Sequence, residues 1–567
     1  MMANSPETAK TKRQRYAQLQ SALLLERSSF EQHWRDLANF VKPKRLRQFV
    51  TDRNRGDRRN QSIIDSAATF AHRTLQSGLH AGLTSPARPW FKLSTPDPEL
   101  AKFRPVKTWL HDVTERMLSV FLKSNLYTAL PTVYGDLGLF ATAAVGILED
   151  EKELFRCYPY PINSYALGVS RRQMVDTFIR EYQLTVEQLI EEFALDRETN
   201  HIDWSVVSPT VKGLWEKGNT QQGVEVCWIV TPNPDRDDSK LDSKYYPFYS
   251  CHFEKGQEKE NQFLREKGFR EFPILAPRWE VAAEDIYGTD CPGMTALGDI
   301  RALQTMTKRK AQAVEKMINP PLQAPTHLIN KVVSSLPGGV THVDVQQQQQ
   351  GIRPIHEVSM SIDDVRVDIE DTRQLIRRAF YEDLFLMLAM TDRREITARE
   401  IEERHEEKLL ALGPMLERSN DELHEPLIDR VYPMMERAGL IPDPPAELEG
   451  VALKVEYLSL MSQAQKLVGI GGLDRFARSV MAVGEMFPHV RHKVNVFRMV
   501  EEYADALGVH PDIVVPDDEA QASLEAEQQA LAQQQQAEQA QAMAKSARDL
   551  GNAPLTGDNA LQRLVGA

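Results

Sequence analysis

ALGDIRALQTMTKRKAQAVEKMI, residues 296–318, is the stretch that decides the architecture. Ile300, Leu303, Thr307, Ala311, Val314 and Ile318 recur at steps of three and four, which puts them on one face of a helix. Pro320-Pro321 ends that helix, because proline lacks a backbone donor and clashes with the preceding turn. At 1.5 Å per residue the helix is a rod of about 35 Å. A second stripe, Ile362, Val365, Ile369, Thr372, Ile376 and Ala379, predicts a returning rod of about 40 Å that continues to Leu388. Between the rods, residues 320–360 carry Pro325, Pro337-Gly338-Gly339 and the glutamine run Gln346 to Gln350. Val332, Val333, Val340, Val343 and Val345 give this insert enough β-branched residues for a small subdomain. Two rods around an insert form a hairpin projecting from a body. Its narrow apolar stripes need neighbours to cover them, which predicts an oligomer.

Working outward, the N-terminal side supplies helices and then strands. Leu24, Phe30, Trp34, Leu37 and Val41 form a helical stripe, and further helical runs cover Ile63 to Leu83 and Val106 to Leu122. Between Phe155 and Trp279 the texture changes to β-branched and aromatic runs such as Phe178 to Tyr182 and Val224 to Val230, broken by Pro232, Pro234 and Pro247. These predict strands in one or two antiparallel sheets. The fold class is therefore α+β and mostly helical.

On the C-terminal side, a break at Met390 to Glu395 precedes Thr397-Ala398-Arg399-Glu400, a capping-box pattern that starts a fresh helix. Gly413-Pro414 kinks or interrupts it, and Pro442-Asp443-Pro444-Pro445 ends the block. Residues 451–512 read as helical with short loops. From Asp517 to Asp549 the chain is rich in Ala, Gln and Glu, with almost no large apolar residues, which predicts a solvated helix or disorder.

Charge narrows the function classes. The net charge of −13 argues against a generally basic nucleic-acid binder. The first 60 residues nevertheless carry 14 Lys or Arg against 6 Asp or Glu. Lys42, Lys44, Arg45, Arg47, Arg53, Arg55, Arg58 and Arg59 cluster in a stretch punctuated by Pro43 and Gly56, read as an exposed loop. Lys42, Lys44, Arg45, Arg47, Arg58 and Arg59 are candidates for polyanion contact; the bland alternative is a solvated loop. The N-terminus has no apolar signal region and no stretch is long and apolar enough to cross a membrane, so a soluble protein assembled in the cytoplasm is expected.

Catalytic signatures are missing. There is no phosphate-binding Gly-x-x-x-x-Gly-Lys loop, and Gly469-Ile470-Gly471-Gly472 does not complete a dinucleotide fingerprint. His405-Glu406-Glu407-Lys408 lacks the second histidine of a zinc site. Cys157, Cys227, Cys251 and Cys291 form no Cys-x-x-Cys pair, so a zinc ribbon, a redox motif and a disulfide framework are disfavoured. Asp235, Asp238 and Lys240 superficially suggest a nuclease cluster but sit in a Pro- and Asp-rich turn. No catalytic residue, metal or cofactor is expected.

In the order of its parts and in short motifs, the sequence resembles the head-to-tail connecting, or portal, proteins of short-tailed bacteriophages. The resemblance runs from about Arg27 to Gln465. It is carried by Trp34 to Pro43, Ser77 to Pro86 with Trp90-Phe91, and Pro277-Arg278-Trp279 through Tyr287-Gly288. Further matches are Asn319-Pro320-Pro321-Leu322, Thr397 to Ile401, Leu412-Gly413-Pro414 and Val455-Glu456-Tyr457. It implies a wing over residues 1–287, stem helices over 288–319 and 361–388, and a clip over 320–360. It also implies a tunnel loop over 389–396, a long kinked wing helix over 397–450 and a crown over 451–512, leaving 513–567 as a tail.

The resemblance further implies a twelvefold ring at one capsid vertex of the virion, assembled in the host cytoplasm, through which double-stranded DNA is packaged and ejected. Partners implied are the major capsid protein, a scaffolding protein, terminase and then tail adaptor proteins, with no membrane and no enzymatic activity. Arg393, Arg394, Lys308, Arg309 and Lys310 are the DNA-channel candidates, since symmetry would multiply each into a ring of charge. Acidic walls elsewhere would repel phosphates and let DNA slide without base readout. Two other classes remain open at this point. A phage metal-dependent nuclease needs a carboxylate cluster that is not clearly present. A coiled-coil scaffolding protein leaves the strands of residues 155–279 unexplained.

Overall fold

The computed structural model describes residues 12–49, 56, 59–196, 198–256, 262–282, 284–318, 320, 322–323, 353–354, 362–390, 412–448, 450–451, 453–458, 476, 479–480, 495–500, 515 and 517–551. The chain forms two units, residues 1–465 and 466–567.

The first unit opens with α1 (Lys12–Val41), longer than the stripe alone predicts. Its first half lays Tyr16, Leu19 and Leu23 on one face of an antiparallel sheet, against Ile179, Cys227, Ile229 and Cys251. Its second half carries Trp34, Leu37, Ala38 and Val41 into the main core. Trp34 stacks on Phe30 at 5.6 Å and meets Tyr287 edge-on at 5.2 Å. The Tyr287 hydroxyl in turn accepts the Leu167 amide at 3.0 Å. A short 3₁₀ turn, Pro43–Phe49, follows where the sequence predicts an open loop.

Next come α2 (Ala67–Leu83), β1 (Phe91–Ser94), α3 (Pro98–Lys102), α4 (Arg104–Lys123) and α5 (Leu126–Phe140). Sequence periodicity misses α5, because Leu126, Ala129, Leu130, Val133, Tyr134, Leu137 and Phe140 are buried all around it and leave no stripe. Gly135 and Gly138 let it press on α2: a Cβ at either would meet the Gln76 or Leu75 side chain at 2.6 or 2.5 Å.

The strand region then runs β2 (Ala144–Asp150), β3 (Leu154–Tyr160), β4 (Tyr165–Val169), β5 (Val175–Thr185), α6 (Val186–Leu189), β6 (Leu195–Asp196), β7 (His201–Ile202), α7 (Pro209–Glu216), β8 (Gly223–Pro232), β9 (Phe248–Glu254), β10 (Arg265–Phe269) and β11 (Ile274–Leu275). The expected antiparallel sheets are a five-stranded one in the order β10-β9-β8-β5-β4 and a three-stranded one in the order β11-β2-β3. Pro232 closes β8, as its missing donor requires.

The first rod is α8 (Pro292–Ile318). After it, β12 (Leu322–Gln323) pairs antiparallel with β13 (Arg353–Pro354), so the chain doubles back. The rest of the insert lies outside the described residues. The second rod is not continuous. It divides into α9 (Ile362–Ala379) and α10 (Glu382–Met390), with Tyr381 in the left-handed region at φ 55°. The periodicity could not show this, because Phe380, Leu384 and Phe385 keep apolar spacing across the break while turning into the core. Phe385 reaches α2, where only Gly78 leaves room: a Cβ there would lie 2.1 Å from the ring.

Residues 391–411, including the expected break and the capping-box helix start, lie outside the described residues. The chain is described again from α11 (Gly413–Ser419), which has Pro414 in its first turn, and continues through a π turn (Asn420–His424) into α12 (Glu425–Arg437). Lys454–Tyr457 is not helical as read from sequence: it is strand β14, antiparallel to β1 in the register Phe91↔Tyr457 to Ser94↔Lys454. Its alternating Lys-Val-Glu-Tyr pattern is a strand signal too short to stand out against the flanking residues.

In the second unit, α13 (Asp517–Gly551) is a helix whose described side chains are almost all exposed, matching the solvated alternative for this tail.

Candidate assembly and channel site

The base of the α8–α9 hairpin is locked to the body by a buried polar knot. The Gln304 carboxamide oxygen accepts the amides of Ile64 and Asp65 at 2.7 and 2.8 Å, and its NH2 donates to the Asp65 carbonyl at 2.8 Å. Asp65 is itself buried; one carboxylate oxygen receives Arg373 Nε and Nη2 at 3.0 and 2.7 Å. Its other oxygen accepts the Ala67 amide at 2.9 Å, in the first turn of α2. Three elements that the sequence keeps far apart are thereby held at one level, and each buried polar group has a partner. Only Gln304 interrupts the apolar stripe here, a signal that could have marked the site.

Beyond Gln304 no described residue of α8 is buried. Ala311 and Ile318 of the predicted stripe are exposed, Ile318 at 79%, and neighbouring Met317 is 44% exposed. On α9, Val367 and Leu375 are 54% and 51% exposed. Ile369 and Ile376 of the α9 stripe are buried within the chain, whereas Met317, Ile318 and Val367 on the outer part of the hairpin are left exposed.

One turn past Gln304, Lys308 and Arg309 are exposed and Lys310 is half-buried. Successive helix positions are about 100° apart, so the three fan around α8 instead of sharing one face. Arg393 and Arg394 lie outside the described residues.

The N-terminal basic cluster is divided. Lys42 Nζ and the Arg45 guanidinium turn inward onto Asp136 of α5, which is buried: Lys42 at 3.4 Å, Arg45 at 3.2 and 2.5 Å through two nitrogens. Burial pulls the Lys42 ammonium down and Asp136 pulls it back up. These two charges therefore anchor the 3₁₀ turn to the core. Lys44 is exposed. Arg59 is half-buried. The side chain of Arg47, and Arg58 altogether, lie outside the described residues.

Several motif residues singled out in the sequence form a second buried network. Arg278 donates from Nε and Nη2 to Glu422 at 3.2 and 2.6 Å, and its backbone amide reaches the same carboxylate at 2.8 Å. Its remaining donors go to the carbonyls of Gln173, Asp285 and Ile286. The π turn aims Glu422 inward and also buries His424, whose Nε2 meets the Tyr134 hydroxyl at 2.9 Å; that hydroxyl lies 3.1 Å from Thr84. Burial lowers the His424 pKa to about 3, keeping the ring neutral. Gly288 admits no side chain, since a Cβ would lie 2.1 Å from the Ala141 carbonyl oxygen. Around these motifs the arrangement can fix a body and a projecting hairpin.

The Asp235–Lys240 turn holds no nuclease arrangement. Arg236 makes two 2.9 Å bonds to Asp238, while Asp237 takes the Ser239 hydroxyl and amide and pairs with Lys240. The Asp237 and Asp238 carboxylates are satisfied within their own exposed turn.

A family model described as bacteriophage head to tail connecting protein matches residues 10–514. The portal protein of Salmonella phage epsilon15 is 44% identical over 559 residues, covering 99% of both chains. The probable portal protein of Bordetella phage BPP-1 is 41% identical over 541 residues, covering 95% of both. The chain belongs to the bacteriophage head to tail connecting protein family.

Proposed function

We propose that this chain is the subunit of a portal ring: a closed twelvefold assembly at one capsid vertex through which double-stranded DNA is packaged and ejected. The observation that carries the reading is the α8–α9 hairpin, rigidly based at Asp65, Gln304 and Arg373 yet leaving Met317, Ile318 and Val367 exposed beyond them. Packing each hairpin against its neighbours in a ring buries these side chains, and a ring of projecting helices encloses a channel.

Under this reading residues 1–287 form the wing, α8 and the 361–388 segment the stem, 320–360 the clip, 389–396 the tunnel loop and 397–450 the long wing helix. Residues 451–512 form the crown, with β14 paired to β1 in a two-stranded sheet. The ring acts as a structural component of the virion, with terminase and then tail adaptor proteins docking on the clip, and capsid and scaffolding proteins meeting the wing. Each subunit brings a net charge of −13, which favours a wall that repels DNA; Arg393, Arg394 and whichever of Lys308, Arg309 and Lys310 faces the channel are the candidate cations that DNA meets there. Lys44, with Arg47, Arg58 and Arg59, is a candidate for polyanion contact; Lys42 and Arg45 are taken by Asp136. Native mass spectrometry tests the assembly: twelve copies of 64.5 kDa give a species near 774 kDa. A chain that stays monomeric at every concentration and salt contradicts it.

A further inference from the structure

One face of the five-stranded sheet is covered by α1; the other opens into a cleft of about 800 Å³. The sheet forms one wall, and β2 and β3 form the opposite wall with Leu148 and Tyr158; buried Tyr160 joins the two at one end, packing on Phe178 and Trp228. Strand register sets Arg180, Trp228, His252 and Arg265 in a row across the sheet wall, with Lys267 two residues further along β10. At a strand spacing of about 4.8 Å, the row is about 14 Å long.

Arg180 is the distinctive member. Its guanidinium lies over the rings of Tyr160 and Tyr182, 4.6 and 4.7 Å from their centroids, and makes no hydrogen bond or ion pair among the described residues. Its Nε is buried without a partner. Lys267 is exposed and likewise unpaired among the described residues. The other cations here are engaged: exposed Arg270 lies over the Tyr246 ring and donates to its hydroxyl at 3.4 Å. Arg265 donates to the Glu192 carbonyl, Arg430 to the Ile147 and Glu271 carbonyls, and Arg437 pairs with Glu149 and Glu271. Trp228 stacks on His252 at 5.5 Å and 5°, and burial keeps that imidazole neutral. The wall thus offers two uncommitted cations, one clamped between rings and oriented in advance, separated by a flat aromatic surface.

Two facing walls suit a single extended chain. An extended peptide sends alternate side chains to opposite sides, so acidic residues can face the cations while apolar ones face Tyr158 and Leu148. Glu149, Glu192 and Glu271 line the same cleft, which disfavours a continuous row of phosphates and leaves room for spaced carboxylates. We propose that this cleft is a docking groove for an extended segment of a partner protein in which acidic residues alternate with apolar or aromatic ones.

The test uses the full-length protein and an end-blocked fluorescent decapeptide alternating Glu and Phe, followed by anisotropy. A Gln-Phe version and a ten-nucleotide oligothymidylate are run beside it. The Glu peptide is expected to bind saturably, about tenfold more tightly than the Gln peptide, and to lose about tenfold on Arg180→Met or Lys267→Glu. Lys267 is exposed, so Lys267→Glu remains informative if Arg180→Met disturbs the tyrosine stack; circular dichroism checks that both fold. The proposal is overturned if the Glu peptide binds no better than the Gln peptide, if Lys267→Glu leaves binding unchanged, or if oligothymidylate binds more tightly than the Glu peptide.

Discussion

Asp65 and Arg373, 308 residues apart in the chain, meet at 2.7 Å at the root of the hairpin, with Gln304 closing the same knot from α8. The contact ties the second rod to the segment that starts α2, so the angle at which the hairpin leaves the body depends on it.

Gln304→Ala removes the partner of two amides and one carbonyl at this point. Leaving such groups unpaired destabilises by about 3 kcal/mol. The expected result is a lower thermal midpoint together with faster proteolytic cleavage within α8 and α9. Gln304→Glu keeps the acceptor but sets a carboxylate oxygen against the Asp65 carbonyl in a buried site, and is expected to lose at least as much.

Arg278 and Glu422 are both almost fully buried, and each is the other's principal countercharge. Removing one partner of such a pair costs about 3–5 kcal/mol, because the survivor is left charged and dry. Glu422→Ala is therefore expected to yield mostly insoluble protein, and Arg278→Met/Glu422→Leu to recover soluble material. Yield and thermal midpoint for the three chains decide the matter.

Three buried histidines predict the acid limit. Burial lowers His72 to about 4 and His252 and His424 to about 3, against 6.5 for a free imidazole. They are neutral in the folded chain, whereas the unfolded chain takes up protons below pH 6.5. Their contribution is complete above pH 6.5 and is lost as pH falls from there toward 4. Each histidine adds a slope of about 1.4 kcal/mol per pH unit in that window. His72→Gln keeps a donor for the Gly135 carbonyl and removes one titration. Its stability should therefore fall less steeply between pH 6.5 and 5 in denaturant titrations.

Arg393→Ala/Arg394→Ala tests the proposal that these two channel candidates grip DNA and brake its backward slippage. In the proposed twelvefold ring, symmetry would multiply these two guanidinium groups per chain into a charged constriction whose grip on phosphates salt should screen. The variant is expected to assemble normal rings while its filled heads retain less genome. Equal DNA content per particle for variant and parent, at low and high salt, removes the brake and leaves the fold assignment standing.

Much of this architecture was legible because periodic burial writes itself into sequence. The stripe from Ile300 to Ile318 located α8, and the alternation from Val224 to Val230 located β8. The elements that escaped lack periodicity. α5 is apolar on every side, and β14 is four residues long and gains its identity only from pairing with β1. The turn at Tyr381 was hidden because the aromatic residues flanking it remain at core spacing. Basic residues near the N-terminus were legible as charge but not as contacts. Lys42 and Arg45 face inward because Asp136, 91 positions beyond Arg45, is buried in a helix the periodicity does not reveal. The cleft at Arg180 depends on the register of four strands, which no local pattern encodes.

Electron microscopy of the purified full-length protein tests the central claim most directly. The predicted image is a closed ring with a central hole and twelvefold symmetry in end-on views, with the α8–α9 hairpins projecting from one side of the body. Isolated particles of single-chain size at all protein concentrations, or open filaments without a hole, would contradict it.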